Sequence, residues 1–321
     1  MIRPFDLRDL KLVKDLEPQR VVLDSRMALC DDYRPFQNAL LAYLLTGRGT
    51  PTLVLRQHQA GGDLRAFGQW REMQCSVQGS GAGRVRARLT ALALEPSGKE
   101  VQVWPQLLDA LVEQVGQHGV IGMSAEVDDT GFWFELLQQA DFSVYNRQEI
   151  WKLQPNAGQH EHPGFQLRLG TPADRWAVQQ LISNTVPPLI QQVESDEGAE
   201  AGFLWEEGGD VLAFLRVYRG QRGTWLKPFF HPRAESVARQ LIQQATAMCA
   251  PQVLYCCVRR YQQWLSRPLE ESGFESLGTQ AVMVRNVAVR LPRPALSPAP
   301  MREKGLEVTT PIAHSRAGGA K

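Results

Sequence analysis

The sequence predicts a mixed α/β (α+β) fold: a twisted, mostly antiparallel sheet flanked by helices, laid out as two similar modules in tandem. Three observations predict it. Apolar residues make up 43% of 321, enough for two ordinary cores at roughly 100–200 residues per domain. Arg3, Asp9, Val13 and Leu16 recur as Arg168, Asp174, Val178 and Leu181, each 165 positions later. Strand-like and helix-like periodicities then alternate in the same order in both halves.

The elements follow in chain order. Each half opens with an arginine in a short strand and an aspartate suited to a helix start. Later, RVRARLTALAL in the first half and GTWLKPFF in the second read as strands that run into Pro96 and Pro232. A helix follows, with apolar residues at Leu107, Leu108, Leu111, Val112 and Val115, or at Leu241, Ile242, Ala245 and Met248; both sets give one buried face. Next come a strand (VIGMSAEV; QVLYCCV), a helix ending at Phe142 or Phe274, and a last strand (SVYNRQEIWKL; QAVMVRNVAVRL). By Phe142 and Phe274 the offset is 132. The first half is longer, mainly through VVLDSRMALCDDYRPFQNALLAYLLTGRG, which supplies an extra helix.

Composition sets the boundaries. Residues 1–154 form the first module and 165–290 the second. The polar stretch PNAGQHEHPG at 155–164, with proline near both ends, reads as a linker. Residues 291–321 are rich in Pro, Ala, Gly and charge and predict a disordered tail. That tail carries five basic residues against two acidic ones, a net +3, so residues 1–290 carry −2 of the overall +1. The remaining body lacks the broad basic footprint that nucleic-acid binding requires. Five cysteines without a CxxC fit reduced thiols rather than a disulfide or zinc framework. No apolar run reaches ~18 residues and the start lacks a signal-peptide core. A cytoplasmic protein without membrane or nucleic-acid partners is expected.

This element order, with a proline-marked strand end before the central helix and a GF-like end to the next, resembles the GNAT superfamily of N-acetyltransferases. The resemblance covers residues 1 to about 154 and again 165–290. It implies acetyl-CoA or another acyl-CoA as cosubstrate, no metal, and a small-molecule or peptide amine as acceptor. In that family the strand before the central helix splays from its neighbour, and the pantetheine arm pairs with it. A [QR]xxGx[GA] loop then offers main-chain N–H groups to the pyrophosphate, as helix starts do for anions. Arg233, Ala234, Glu235, Ser236, Val237 and Ala238 match that loop, with Ser236 at the first glycine position. Glu235 is an unfavourable charge there, unless it simply complements a helix dipole. The corresponding first-half residues run from Lys99 to Trp104, with Gln102 and Trp104 at the small positions and Pro105 next. Proline is comfortable at a first helical position but removes a donor. A degenerate first module that no longer binds acyl-CoA is therefore expected, with Trp104 in the pyrophosphate's place.

The catalytic group is unknown. Many family members place a tyrosine acid four residues before the helix-ending GF; Leu137 and Leu269 stand there, and leucine has no proton to give. Tyr261 is a substitute or an amphipathic surface tyrosine. Strand alternation points one of Cys256 and Cys257 at the cleft, either as thiol acceptor or as small core residue. His160-Glu161-His162 has two histidines at i, i+2 but too few ligands for zinc. His231 reads as a substrate contact or a cap. GSGAG at 79–83 reads as a hairpin turn between strands, and Glu206-Glu207 before Gly208-Gly209 as another. Two functions remain: an N-acyltransferase working through the second module, or a non-catalytic binding or scaffold protein with a retired transferase fold.

Overall fold

The computed structural model describes residues 2–45, 50–59, 62–75, 84–95, 100–155, 167–193 and 202–287. In chain order the first half contains β1 (Ile2–Pro4), α1 (Leu10–Leu16), β2 (Val21–Val22), α2 (Ser25–Cys30) and α3 (Pro35–Leu44). It continues with β3 (Thr52–Gln59), β4 (Gly62–Cys75), β5 (Arg84–Leu94), α4 (Glu100–Gln117), β6 (Gly122–Asp128), α5 (Phe132–Gln139) and β7 (Ser143–Leu153). The second half contains β8 (Arg168–Leu169), α6 (Arg175–Thr185), α7 (Pro188–Gln191), β9 (Gly202–Glu207), β10 (Asp210–Arg219) and β11 (Thr224–Phe230). It ends with α8 (Ala238–Cys249), β12 (Leu254–Arg259), α9 (Ser266–Glu270) and β13 (Glu275–Asn286). The expected linker beyond Pro155, the tail and the GSGAG run lie outside the described residues. The strands flanking that run pair antiparallel out to Cys75↔Arg84.

The repeated landmarks do the same work in both halves. Arg3 grips Asp9 with two hydrogen bonds of 2.7 and 2.9 Å. Arg168 grips Asp174 in the same way at 2.8 and 2.6 Å. Each aspartate also accepts the N–H of the residue three before it, a capping box that fixes the chain's entry into α1 or α6. The two arginines sit on β1 and β8, the outermost strands.

Among the described residues all strands join one sheet, in the order β1-β3-β4-β5-β6-β13-β7-β12-β11-β10-β9-β8, with β2 paired to β5. Matched half to half, that order is a palindrome. β5 pairs parallel to β6, and β11 to β12; each pair is joined by its long helix, α4 or α8, as a parallel crossover requires. At the centre the last strands are exchanged. β7 completes the second half by pairing with β12, β13 completes the first by pairing with β6, and the two pair with each other. Gln148 and Gln280, equivalent at the offset of 132, are direct partners across that pair, so the pseudo-dyad passes between them. The register slips once on either side of them, at Tyr145 and at Leu277, which are again 132 apart: two symmetric bulges that add local twist. The two predicted sheets are thus continuous edge to edge.

Apolar faces follow the predicted helical spacing. Leu107, Leu108, Leu111 and Val115 of α4 are fully buried, each contributing roughly 1.5–3 kcal/mol. On α8 the buried face is centred on Ala238, Ile242, Ala245 and Cys249, which leaves Met248 at its flank, 37% exposed. Pro105 stands inside α4 and not at its first position, because the helix begins at Glu100.

The halves also lock through α2. The hairpin between β10 and β11 abuts its C-terminal end: Arg222 N–H donates to Cys30 O at 2.8 Å and Tyr218 Oη to Asp31 at 3.0 Å. A Cβ at Gly220 would overlap the Cys30 carbonyl and the Asp31 carboxylate. Gly220→Ala is therefore expected to destabilise by roughly 1–3 kcal/mol, read as a lower denaturant midpoint at unchanged slope. An unchanged midpoint would mean that this contact yields freely.

Candidate functional site

Each parallel strand pair holds only at its start. β11 and β12 are in register at Thr224↔Leu254, Trp225↔Tyr255 and Leu226↔Cys256, then part. β5 and β6 are paired at Ala87↔Met123 and Arg88↔Ser124, then part. Two V-shaped gaps in the strand ladder result, one per half.

The two clefts are filled differently. In the first half β2 lies between the diverging strands, with Val21 opposite Leu92 and Val22 opposite Ala91. Leu23 N–H donates to Thr90 O, and Glu126 N–H of β6 to Leu23 O, both at 2.9 Å. The chain itself thus restores the missing ladder. In the second half a single side chain bridges the gap. Gln262 is 3% exposed; in the amide orientation that satisfies both ends, Nε2 donates to Pro228 O at 2.9 Å and Oε1 accepts from Phe230 N–H at 3.0 Å. Proline has no N–H, so of Pro228 and Phe230 only Phe230 offers a donor to this cleft.

Buried charge pins β2 in place. Asp24 is fully buried, caps α2 by accepting Met27 N–H at 3.1 Å, and pairs with Arg71 at 2.9 Å and Arg88 at 3.6 Å. Burial alone would raise its pKa; Arg88, Arg71 and Arg26 outweigh that and hold it at about 2. Glu126 accepts Ser25 N–H at 2.9 Å and faces Arg88 at 3.3 Å.

The predicted phosphate loop, Arg233 to Ala238, is not an open turn. Pro232–Val237 forms two turns of 3₁₀ helix, whose donors are largely directed inward. Arg233 N–H meets His231 Nδ1 at 3.2 Å, Ala234 N–H meets His231 O at 2.9 Å, and Ala238 N–H meets Glu235 O. His231 is thus a cap. Ala234 and Ala238 are buried, whereas Arg233, Glu235 and Ser236 are exposed and Val237 is half-buried. The Arg233 guanidinium lies 3.4 Å from Asp210 and 3.8 Å from Glu207, and Arg239 lies 3.9 Å from Glu271. In the first half Trp104 is buried in the core, edge-on to Trp133 at 5.1 Å.

The dyad carries a polar chain. Ser25 Oγ donates to Gln280 Oε1 at 2.6 Å, and Gln148 Nε2 donates to the same oxygen at 2.8 Å. Gln148 Oε1 in turn accepts from Arg259 and, at 3.3 Å, from the Cys257 thiol. Cys257 is therefore the cysteine facing the dyad. Cys256 points to the opposite face, where burial pushes its thiol well above the ordinary range, unsuited to nucleophilic work. Two crevices flank the chain. One, of about 200 Å³, is lined by Arg147, Gln148, Glu149, Arg259 and Arg260. The other, of about 470 Å³, is lined by Ser25, Glu126, Asp128, Trp133, Leu277 and Gln280 among others.

Leu137 and Leu269 are fully buried. Tyr261 is half-buried against the cluster of Val178, Leu181 and Phe229, away from a free surface position. Glu206 pairs with Arg168, and Gly208 and Gly209 take positive φ, +62° and +87°, at the β9–β10 turn. His160 and His162 lie outside the described residues. No group of three His, Cys, Asp or Glu side chains among the described residues is arranged to hold a metal, and no described helix is long and apolar enough to cross a membrane. The residues that sequence reading missed are Val21 to Asp24, Gln262 and the Gln148–Gln280 pair. The only signal for the last was their identity at the repeat offset.

No model of a known family matches the chain, and no curated protein matches it in sequence. Its structure is similar to that of a GCN5-related N-acetyltransferase from Sphaerobacter thermophilus, with a TM-score of 0.55 at 12% identity over 89% of this chain and 95% of that one. It is also similar to a GCN5-related N-acetyltransferase from Anabaena variabilis, with a TM-score of 0.50 at 12% identity over 90% and 74%. The chain has the GNAT fold. At this identity the likeness is one of fold.

Proposed function

We propose that the chain is an acyl-CoA-dependent N-acyltransferase that works through its second half, residues 165–290. The observation carrying this reading is the contrast between the clefts. The first is closed by main chain, anchored by Asp24 and Glu126, and cannot open without unfolding β2. The second is bridged by one side-chain amide on Pro228 O and Phe230 N–H. A pantetheine arm brings amides of the same kind, so it replaces the Gln262 contacts like for like and leaves no buried group unpaired. The phosphates would then lie toward Arg233, Ser236 and Arg239, with Ser236 and Ala238 at the small positions of the loop. The fold likeness to N-acetyltransferases supports the same chemistry.

In this reading a neutral amine attacks the thioester carbonyl. The C–N bond forms as the C–S bond breaks, the thiolate leaves and is protonated, and the amine gives up one proton to solvent. Phe230 N–H is engaged by the pantetheine amide in this reading, so it positions the thioester and is not assigned to the carbonyl oxygen. No side chain is assigned as acid, since Leu269 is buried where a tyrosine would stand. Positioning alone carries much of such a reaction, and an absent acid costs roughly 10²–10⁴-fold. The acceptor class is a small-molecule or peptide amine.

A second reading, a non-catalytic scaffold with a retired transferase fold, is favoured by the inward-directed donors of the Pro232–Val237 turn. Thermal stability with acetyl-CoA separates the two. At ~100 times its dissociation constant the ligand should add about 2.7 kcal/mol. Gln262→Ala should strengthen binding by removing the competing amide, and Ser236→Trp should abolish it. If neither acetyl-CoA nor longer acyl-CoAs stabilise the protein, the acyltransferase reading fails. Release of free thiol with candidate amines then distinguishes enzyme from binder.

A further inference from the structure

The two crevices beside the dyad are equivalent by the internal repeat but opposite in charge. Arg260 of the second-half crevice corresponds to Asp128 in the first, and Val258 to Glu126, at the offset of 132. The second-half crevice is lined by three arginines and one carboxylate. The first-half crevice is lined by two carboxylates, Glu126 and Asp128, and by no lysine or arginine. We propose that the first-half crevice is a binding site for a small organic cation, a primary amine with an aromatic or branched apolar body.

The cavity is built for such a ligand. Its volume, about 470 Å³, falls within the ~300–1,000 Å³ of small-molecule pockets. Its walls are apolar, formed by Leu23, Ala28, Ile150, Trp133, Phe132 and Leu277. Phe132 and Leu277 remain 47% and 51% exposed, large apolar side chains beside an open crevice. The charged groups are both acceptors, Glu126 and Asp128, and Ser25, Thr130 and Gln280 add neutral polar groups. Glu126 is held from behind by Arg88 at 3.3 Å and by Ser25 N–H at 2.9 Å, which fixes its carboxylate without using every lone pair. Asp128 is exposed. An ammonium directed to these carboxylates gains charge-assisted hydrogen bonds in a partly desolvated place, while its apolar body covers Trp133 and Leu277. An anion of the same shape meets the same carboxylates and is repelled. The plug at β2 forms one wall through Val21, Val22 and Leu23, so the site exists because the acyl-CoA cleft of this half is closed. It stands apart from the second-half cleft and does not depend on acyl transfer there.

Calorimetric titration of the full chain with phenethylamine, and with phenylacetate as an anion of similar size, tests the proposal. Saturable binding of phenethylamine, at least about tenfold tighter than phenylacetate and weakened by salt, is expected. Asp128→Asn, at an exposed position, should weaken phenethylamine binding by about tenfold. Ala28→Phe, which fills the cavity from α2, should remove it while leaving any stabilisation by acetyl-CoA intact. Absence of saturation up to ~10 mM, equal binding of the two probes, or unaltered binding in Ala28→Phe would each overturn the assignment.

Discussion

Residues 1–154, produced without the rest of the chain, are expected to be unfolded or aggregated; produced together with 165–290 they are expected to form a folded one-to-one complex. The strand exchange leads to this result. Without β13, β6 loses its partners from Gly122 to Asp128, and β7 is left with neither β13 nor β12. Ala281 and Met283 belong to the first-half core, and Trp151 and Leu153 to the second-half core. Each fragment thus lacks a central strand and exposes a long apolar edge, the arrangement most prone to aggregation. The loss compares with the whole marginal stability of a domain, roughly 5–15 kcal/mol. Circular dichroism and sizing of the fragments check it. A monomeric 1–154 fragment with a cooperative melt would show that the exchange is dispensable.

The second large effect is at Asp24. Asp24→Asn leaves Arg71 and Arg88 without their buried carboxylate, a change that typically costs about 3–5 kcal/mol. A fall in Tm of at least roughly 6 °C follows at neutral pH. The pH dependence has a definite sign. The folded pKa, about 2, is below the unfolded value near ~3.9. The carboxylate's stabilisation is therefore complete above the unfolded value and is lost as pH falls through about 2. The stability gap between wild type and Asp24→Asn should be full at pH 7 and should close between roughly pH 4 and 2. A gap that is absent at pH 7, or that persists undiminished at pH 2, would place the stabilisation elsewhere.

The sequence carried the element order because the signals were local. Arg3 with Asp9 and Arg168 with Asp174 act within six residues, and the apolar stripes of α4 and α8 repeat within each helix. The exchange was hidden for the opposite reason. Alternation in SVYNRQEIWKL reveals which side chains share a face, but a strand flanked on both sides looks alike whatever its neighbours are. The plug was hidden by length: Val21 and Val22 are too few to show a period, and only their pairing with Ala91 and Leu92 identifies them as a strand. Gln262 was unreadable as a cleft residue, since glutamine after a strand suggests a wet surface and this one is 3% exposed. The loop from Arg233 to Ala238 was found by pattern, yet pattern does not register where N–H groups point.

A true homodimer with swapped ends must present identical pockets at both sites, since every substitution appears twice. Here the axis between Gln148 and Gln280 lies within one polypeptide, and that obligation is lifted. Position 128 is free to be acidic while position 260 is basic, and one fissure can be sealed by main chain while its mirror is spanned by a single side chain. Tethering the two halves lets them diverge in ways that symmetry would have forbidden.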